Sequence, residues 1–305
     1  MAMREDGRSG APILNAMSVD VEDYFHVSVF DGLVPRHRWN DLESRVCANT
    51  DRLLGIFDEA GIKATFFVLG WVAERFPELV ARIAGLGHEI ASHGYAHRLV
   101  YDQTPDAFRE DVRRAKVLLE QAGGCKVGGY RAPSYSITPR SLWALDILIE
   151  EGHWYDASIF PIVHDRYGIP VSARHAYEVR RPAGTLMELP GSTVRLGPVN
   201  LPVGGGGYFR ILPYSWTQWG IARLNRERHA AVFYLHPWEI DANQPRLAAG
   251  ALGRFRHYRN LDQTERRLRR LLRDFHFGPV RTLLSGAVAE TSAAPQPAGA
   301  LPYLW

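Results

Sequence analysis

Residues 63–93 read KATFFVLGWVAERFPELVARIAGLGHEIASH, a strand, a helix and a second strand in one short run. Lys63 to Leu69 carries Thr65, Phe66, Phe67 and Val68, the composition of a buried strand, and Gly70 closes it. Val72 to Leu86 has helical spacing, with Gly87 as its C-cap. His88 to Ser92 then reads as a further short strand that delivers His93 to a loop. Strand, helix and strand joined by connections this short form a crossover unit, which argues for a parallel sheet.

The same alternation continues in both directions. Ile13 to Asp20 is an apolar run ending in acids, a first strand whose carboxyl end faces a site. Asp51 to Ala60 (Leu53, Leu54, Phe57), Pro105 to Ala122 and Pro139 to Glu151 are expected helices; Val127 to Arg131 and Trp154 to Ser158 are expected strands. Ser215 to Arg226, the strand Ala230 to Leu235, the helix Thr264 to Phe275 and a last strand at Val280 to Leu284 complete the pattern. Polar residues gather at successive strand ends, so the expectation is an α/β chain closed into a distorted barrel with its site on that face. Residues 159–213 break the alternation with prolines and glycines and are expected as an irregular insertion or lid. Within them Gly204 to Gly207, followed by Tyr208, reads as a flexible loop, with a hinge or a close approach to a ligand as alternatives. The expected division is an N-terminal extension over 1–12, a single catalytic domain over 13–285 and a flexible tail over 286–305.

Composition narrows the function classes. A chain of 305 residues, 46% hydrophobic and 23% charged, buries a sizeable core, and a net charge of +3 gives no reason to expect nucleic acid. No apolar run approaches the roughly 20 residues of a membrane helix, and the N-terminus lacks a signal-peptide core, so the expected compartment is the cytoplasm. Cys47 and Cys125 make neither a disulfide framework nor a thiolate metal site and read as buried free thiols. Arg266, Arg267, Arg269, Arg270 and Arg273 alternate with Leu268, Leu271 and Leu272, an amphipathic helix with a solvated basic face. The alternative reading of that face is weak contact with an anionic glycan or a membrane surface.

Four groups of residues carry chemistry. His93 and His97, four apart, share one face of a helical turn and can bind a metal together. Asp20, Glu22 and Asp23 form an acidic cluster at a strand end, costly to bury unless ionised against a metal, an arginine or hydrogen-bond donors. On an extended segment Asp20 and Glu22 share a face, so one can bind metal while the other takes a proton; Asp23 replaces Glu22 if the strand has already turned. Arg131 at another strand end can hold a carboxylate ionised, and His236, which ends Val232-Phe-Tyr-Leu235, can protonate a leaving amine. A His-Glu-x-x-His zinc-protease motif is absent, because Ser92 stands where its second histidine would be.

In order along the chain, these motifs resemble the polysaccharide deacetylase family, carbohydrate esterase family four or the NodB-homology domain. Ala64 to Leu69, Pro77 to Val80 and Gly87 to Ile90, leading into Ser92-His-Gly-Tyr-Ala-His97, resemble its most characteristic segment. Arg131-Ala-Pro133, Tyr155-Asp-Ala-Ser158 and Tyr234-Leu-His236 are similar to later motifs, and the resemblance runs from about Leu14 to Leu284. Asp20 to Phe25 and Gly197 to Tyr208 resemble the branch associated with exosortase and exopolysaccharide gene clusters. The resemblance implies a NodB-type distorted (β/α) barrel of about seven parallel strands. It also implies that Asp20 is the base, Arg131 orients it, Asp156 supports the catalytic histidine, His236 is the general acid, and His93 and His97 are metal ligands. Val21 departs from the commoner Thr-Phe-Asp-Asp motif, leaving Glu22 and Asp23 as alternatives for the third ligand. Ala132 departs from Arg-Pro-Pro-Tyr, so the N–H that stabilises the oxyanion is expected from Ser134 or Tyr135. Zinc suits two imidazoles and a carboxylate, and nickel, cobalt or iron fit the same ligands. Trp71, Tyr95, Tyr135, Trp154, Tyr208 and Trp238 are the candidate platforms for sugar rings. The expected function is metal-dependent N-deacetylation of an acetylated polysaccharide or oligosaccharide. A hydrolase of cyclic imides or other small amides, and a catalytically silent carbohydrate-binding protein, are the alternatives.

Overall fold

A computed structural model of the chain describes residues 11–285. It opens with β1 (Leu14–Val21), α1 (Val46–Glu59), β2 (Thr65–Val68), α2 (Gly70–Arg75), α3 (Pro77–Gly85) and β3 (Glu89–Ser92). The single helix expected over 72–86 is two, because Pro77 lacks the N–H that would continue α2 and instead starts α3. Next come α4 (Pro105–Gly123), β4 (Gly129–Tyr130), α5 (Trp143–Glu150) and β5 (Tyr155–Asp156). Thr104 Oγ1 caps α4 and Gly124, at φ +62°, ends it.

The stretch 159–213, expected to be irregular, holds two hairpins and a short helix: β6 (Tyr177–Arg181) with β7 (Gly184–Glu188), β8 (Thr193–Leu196) with β9 (Val199–Pro202), and α6 (Gly206–Ile211). The chain continues through α7 (Tyr214–Arg226), β10 (Val232–Leu235), α8 (Ala251–Tyr258), α9 (Leu261–Asp274) and β11 (His276–Gly278). Val280 to Leu284, expected as a strand, is helical; the strand lies just before it.

Seven strands run parallel in the order β10-β1-β2-β3-β4-β5-β7, and β6 adds antiparallel at the β7 edge. The gap between β7 and β10 is bridged by loop residues: Val232 N–H donates to the Ser192 side-chain Oγ, Tyr234 N–H to the Gly204 carbonyl, and Gly205 bridges Tyr234. The result is a distorted barrel with helices outside. Met17, Val19 and Val21 of β1 face outward under the helices, whereas Ser18, Asp20 and Glu22 point inward, the alternation a strand imposes. On α9, Leu268 and Leu271 are buried against the barrel.

The expected basic face of α9 is largely engaged. Arg267 donates to the carbonyls of Phe209, Arg210 and Leu212, Arg269 pairs with Glu59 and Glu265, and Arg270 with Asp274. Of the two thiols expected to be buried, Cys47 is half-buried and Cys125 is exposed. The expected extension over 1–12 and tail over 286–305 lie outside the described residues, apart from 11 and 12.

Candidate metal and acid-base site

The carboxyl ends of β1, β3, β4 and β10 bring Asp20, Glu22, His93, Arg131 and His236 together, with His97 from the loop after β3. His93 Nδ1 lies 2.8 Å from the Arg131 carbonyl, which fixes the tautomer and leaves Nε2 facing the site. The helical turn expected for the two histidines is a loop, in which Gly94 at φ +72° and His97 at φ +49° reverse the chain. Arg36 clamps that reversal by donating to the carbonyls of Ala96 and His97 at 2.8 and 3.2 Å.

Ligand atoms of Glu22, His93 and His97 all lie within 4.8 Å of one another, and all three residues are buried. Glu22 Oε2 lies 2.8 Å from His97 Nε2, and the other ring nitrogen, His97 Nδ1, has no hydrogen-bond partner. A buried carboxylate and two imidazoles that converge this closely fit a divalent cation with open positions. Burial works to raise the Glu22 pKa, but His97 and His236 hold it well below the usual carboxylate range. Burial pulls the His93 imidazole down to about 4, so it is neutral and able to coordinate.

Asp23, the alternative third ligand, turns away from this centre. Its Oδ2 accepts from Ser44 Oγ, Arg45 N–H and Val46 N–H at 2.7, 2.9 and 3.2 Å, satisfying donors at the start of α1. Burial pushes its pKa up to about 6 despite those bonds.

Arg131 is fully buried. Its Nη1 donates to Asp20 Oδ1 at 2.7 Å and Ser18 Oγ at 2.9 Å, its Nε donates to Ala157 O at 3.2 Å, and its guanidinium lies over Phe67. Burial opposes its charge, but Asp20 keeps it firmly protonated. The other Asp20 oxygen is 3.9 Å from His236 Nε2, and Glu22 Oε1 is 3.6 Å from the same nitrogen.

Asp156 does not support His236. It lies across the barrel at the end of β5, where its Oδ1 accepts from Ser158 Oγ, which in turn accepts from Ala132 N–H. In register beside it on β7 is Glu188, also fully buried and close enough to share a proton. Burial and the Asp156 charge push Glu188 well above the ordinary range. The partner of His236 is Glu239, whose Oε1 is 2.5 Å from Nδ1 and accepts the His236 N–H at 3.2 Å. Glu239 Oε2 in turn accepts from Arg210 Nε at 2.6 Å. Sequence reasoning missed Glu239; the signal was a carboxylate three residues after His236, with Pro237 opening a helical turn between them. Burial opposes the His236 charge, but Glu22, Glu239 and Asp20 together push its pKa up to about 9.

Arg210 explains the glycines. A Cβ at Gly205 would sit 2.0 Å from the Tyr234 carbonyl, so only glycine lets the chain cross β10 and begin α6, which carries Arg210 inward. The stretch expected as a flexible loop is a close backbone approach.

The expected sugar platforms divide. Tyr135 and Tyr208 belong to an aromatic group with Phe160, Tyr167 and Tyr234 beside Arg131, and the buried Tyr135 hydroxyl has no partner. Ser134, at φ +51°, leads into Tyr135, whose N–H donates to Ala132 O; Ser134 thereby remains the candidate oxyanion donor. Trp238 is buried: it donates to Glu22 Oε1 at 3.1 Å and stacks between His236 and His257. Trp154 lies at the opposite end of β5, over Gly128, and Tyr95 turns outward to Glu74 under Arg114; Trp71 packs against Phe25 and His26. None of these four faces the site as a platform.

Residues 39–148 match the polysaccharide deacetylase family model, and residues 157–285 match a domain of unknown function, DUF3473. A peptidoglycan-N-acetylglucosamine deacetylase of Bacillus cereus is 34% identical over 98 residues, 32% of this chain and 36% of that protein. The similarity thus spans little more than a third of that relative's length. A Mycobacterium smegmatis structure described as a polysaccharide deacetylase superposes with a TM-score of 0.60 at 22% identity, covering 97% of each chain. An allantoinase structure gives 0.57 at 14% identity, over 85% of this chain and 82% of that one. His93, His97 and Arg131 fall within the deacetylase match, while His236 and Glu239 fall within the second match. The chain thus carries a polysaccharide deacetylase match over residues 39–148 continued by a DUF3473 match over residues 157–285, on the fold of polysaccharide deacetylase structures.

Proposed function

We propose that the protein is a metal-dependent hydrolase that removes N-acetyl groups from a polysaccharide or oligosaccharide, in the assembly of an exopolysaccharide. The observation that carries this reading is the convergence of Glu22, His93 and His97 beside two proton-handling groups, Asp20 and His236. A divalent cation held by those three residues, zinc by preference and nickel, cobalt or iron by the same donor set, would polarise the acetamide carbonyl and acidify a water. Asp20, oriented by the Arg131 hydrogen bond, takes the proton from the attacking water. The Ser134 N–H stabilises negative charge developing on the carbonyl oxygen. His236 donates its proton to the departing amine, with Glu239 holding the ring by Nδ1. Of the aromatic group beside Arg131, the half-buried Tyr208 is the candidate to meet a sugar ring, with the buried Tyr135 packed behind it through Tyr167. Products are acetate and an amino sugar.

The test is acetate release from N-acetylglucosamine oligomers by protein loaded with zinc, alongside Asp20→Asn and His93→Ala. Release that both substitutions abolish supports the reading. Turnover of a cyclic imide without acetate release, or glycan binding without hydrolysis under any of the four metals, overturns it.

A further inference from the structure

α8 is built inside out. Of its eight residues only His257 is buried, while Leu252 and Phe255, three apart on one face, are 61% and 47% exposed. Ala251, four residues before Phe255 and also exposed, continues that face at the start of the helix. An ordinary surface helix turns such residues inward. Arg254, Arg256 and Arg259 flank the apolar face, all exposed, and no acidic residue occurs anywhere in residues 242–261. Among the described residues none of these three arginines forms an ion pair, in contrast to the engaged arginines of α9.

The helix also lies at the rim of the site. His257 stacks on Trp238 at 4.2 Å between ring centroids, and Trp238 stacks on His236. Val29 and Phe30 pack against α8, and the turn they anchor exposes Leu33 at 53%.

We propose that α8 is an interfacial helix that docks the site's rim onto a bilayer surface rich in anionic lipid. Leu252 and Phe255 enter the acyl boundary while Arg254, Arg256 and Arg259 meet lipid phosphates, the arrangement by which amphipathic helices lie in an interface. Two turns of helix are too small for a stable protein interface, which needs roughly 800 Å² from each partner. Its uniform positive charge opposes a second copy of this chain. A glycan would favour a cluster of aromatic faces, and this face offers a single ring, Phe255, beside aliphatic Leu252 and Ala251. The consequence for the enzyme is a site mouth held near the plane where lipid-linked sugars emerge.

Vesicle co-sedimentation of the full chain, without metal or substrate, tests this independently of the deacetylase reading. Binding is expected to phosphatidylglycerol-containing vesicles and not to pure phosphatidylcholine, weakening with salt. Arg254→Gln/Arg256→Gln should lower the partition coefficient about fivefold per arginine at low salt, and Leu252→Asp/Phe255→Asp should abolish binding. Circular dichroism of each variant separates loss of binding from loss of fold, and the glutamine pair keeps the test open if the aspartate pair does not fold. No binding to anionic vesicles, equal binding to neutral ones, or undiminished binding by the folded variants overturns the proposal. Retention on an anionic polysaccharide without vesicle binding does the same, in favour of a glycan.

Discussion

Glu22 and Asp23 are adjacent acids, and the backbone decides between them. β1 ends at Val21, so Glu22 keeps the inward alternation of Ser18 and Asp20, while Asp23 already belongs to the turn and bonds the start of α1. Glu22→Ala should therefore lose bound zinc in elemental analysis, whereas Asp23→Asn should retain it and lose about 1 kcal/mol of stability through the weakened helix start. Zinc loss from Asp23→Asn instead would make Asp23 the ligand. The support of His236 divides Glu239 from Asp156 in the same way. Glu239→Gln should lower kcat for acetate release by about 10² to 10⁴, with Asp156→Asn lowering it much less, because only Glu239 reaches Nδ1. The pH profile adds a sign. A general acid works while protonated, so activity falls as pH rises through its pKa, and Glu239 is one of the charges that raise that of His236. The alkaline limb of the Glu239→Gln profile should accordingly move to lower pH; an unmoved limb would deny Glu239 this role. Asp20, His93, His97, Arg131 and His236 were legible in the sequence because each sits at a strand end or the loop just after one. Glu239 was not, since its role depends on how a helical turn folds its carboxylate back onto His236.

At the scale of elements, the parallel strands announced themselves through apolar runs bounded by glycine, and β1, β2, β3 and β10 lie within the runs expected or one residue from them. The hairpin β6–β7 did not. Its strands alternate partly exposed positions at the sheet edge, so their composition is that of a polar, glycine-containing loop. The glycines of residues 204–207 were ambiguous for a related reason: a flexible loop and an enforced close approach contain the same residue. What distinguishes them is the Tyr234 backbone, which a side chain at Gly205 would strike. Gly205→Ala should cost about 2 kcal/mol or more, combining a clash with a backbone conformation, φ +124°, that alanine resists. Thermal unfolding would register a Tm lower by several degrees, and His236-dependent activity should fall as α6 and Arg210 shift. An unchanged Tm would mean that the segment is the flexible loop its composition suggested.

For the molecule as a whole, the site's charges set how stability follows pH. Asp20, Arg131, Glu22, His236, Glu239 and Arg210 are buried or nearly so and paired in a chain around the barrel mouth. Asp156 and Glu188 stand apart, two buried carboxyls in register whose pKa values are both raised. A carboxyl whose pKa rises on folding is bound to its proton more tightly in the native state. Its contribution to stability is therefore complete below the unfolded-state value, near 4, and is lost as pH climbs through the folded value. Burial raises both, and the Asp156 charge raises Glu188 further, so the pair keeps a proton at pH values where the unfolded carboxyls have lost theirs. Glutamine at position 188 keeps the size and a donor while removing the second ionisation. Glu188→Gln should accordingly gain stability relative to the wild type as pH rises from 5 to 8, measured as the difference between their urea midpoints at each pH. A difference that stays constant over that range would mean that the pair does not share a proton and that each carboxyl is neutralised by some other neighbour. A difference that grows would identify the β5–β7 pairing, whose second strand the sequence concealed, as a determinant of the protein's alkaline stability. It would do so without altering His236 or Glu239, whose own pairing involves neither Asp156 nor Glu188.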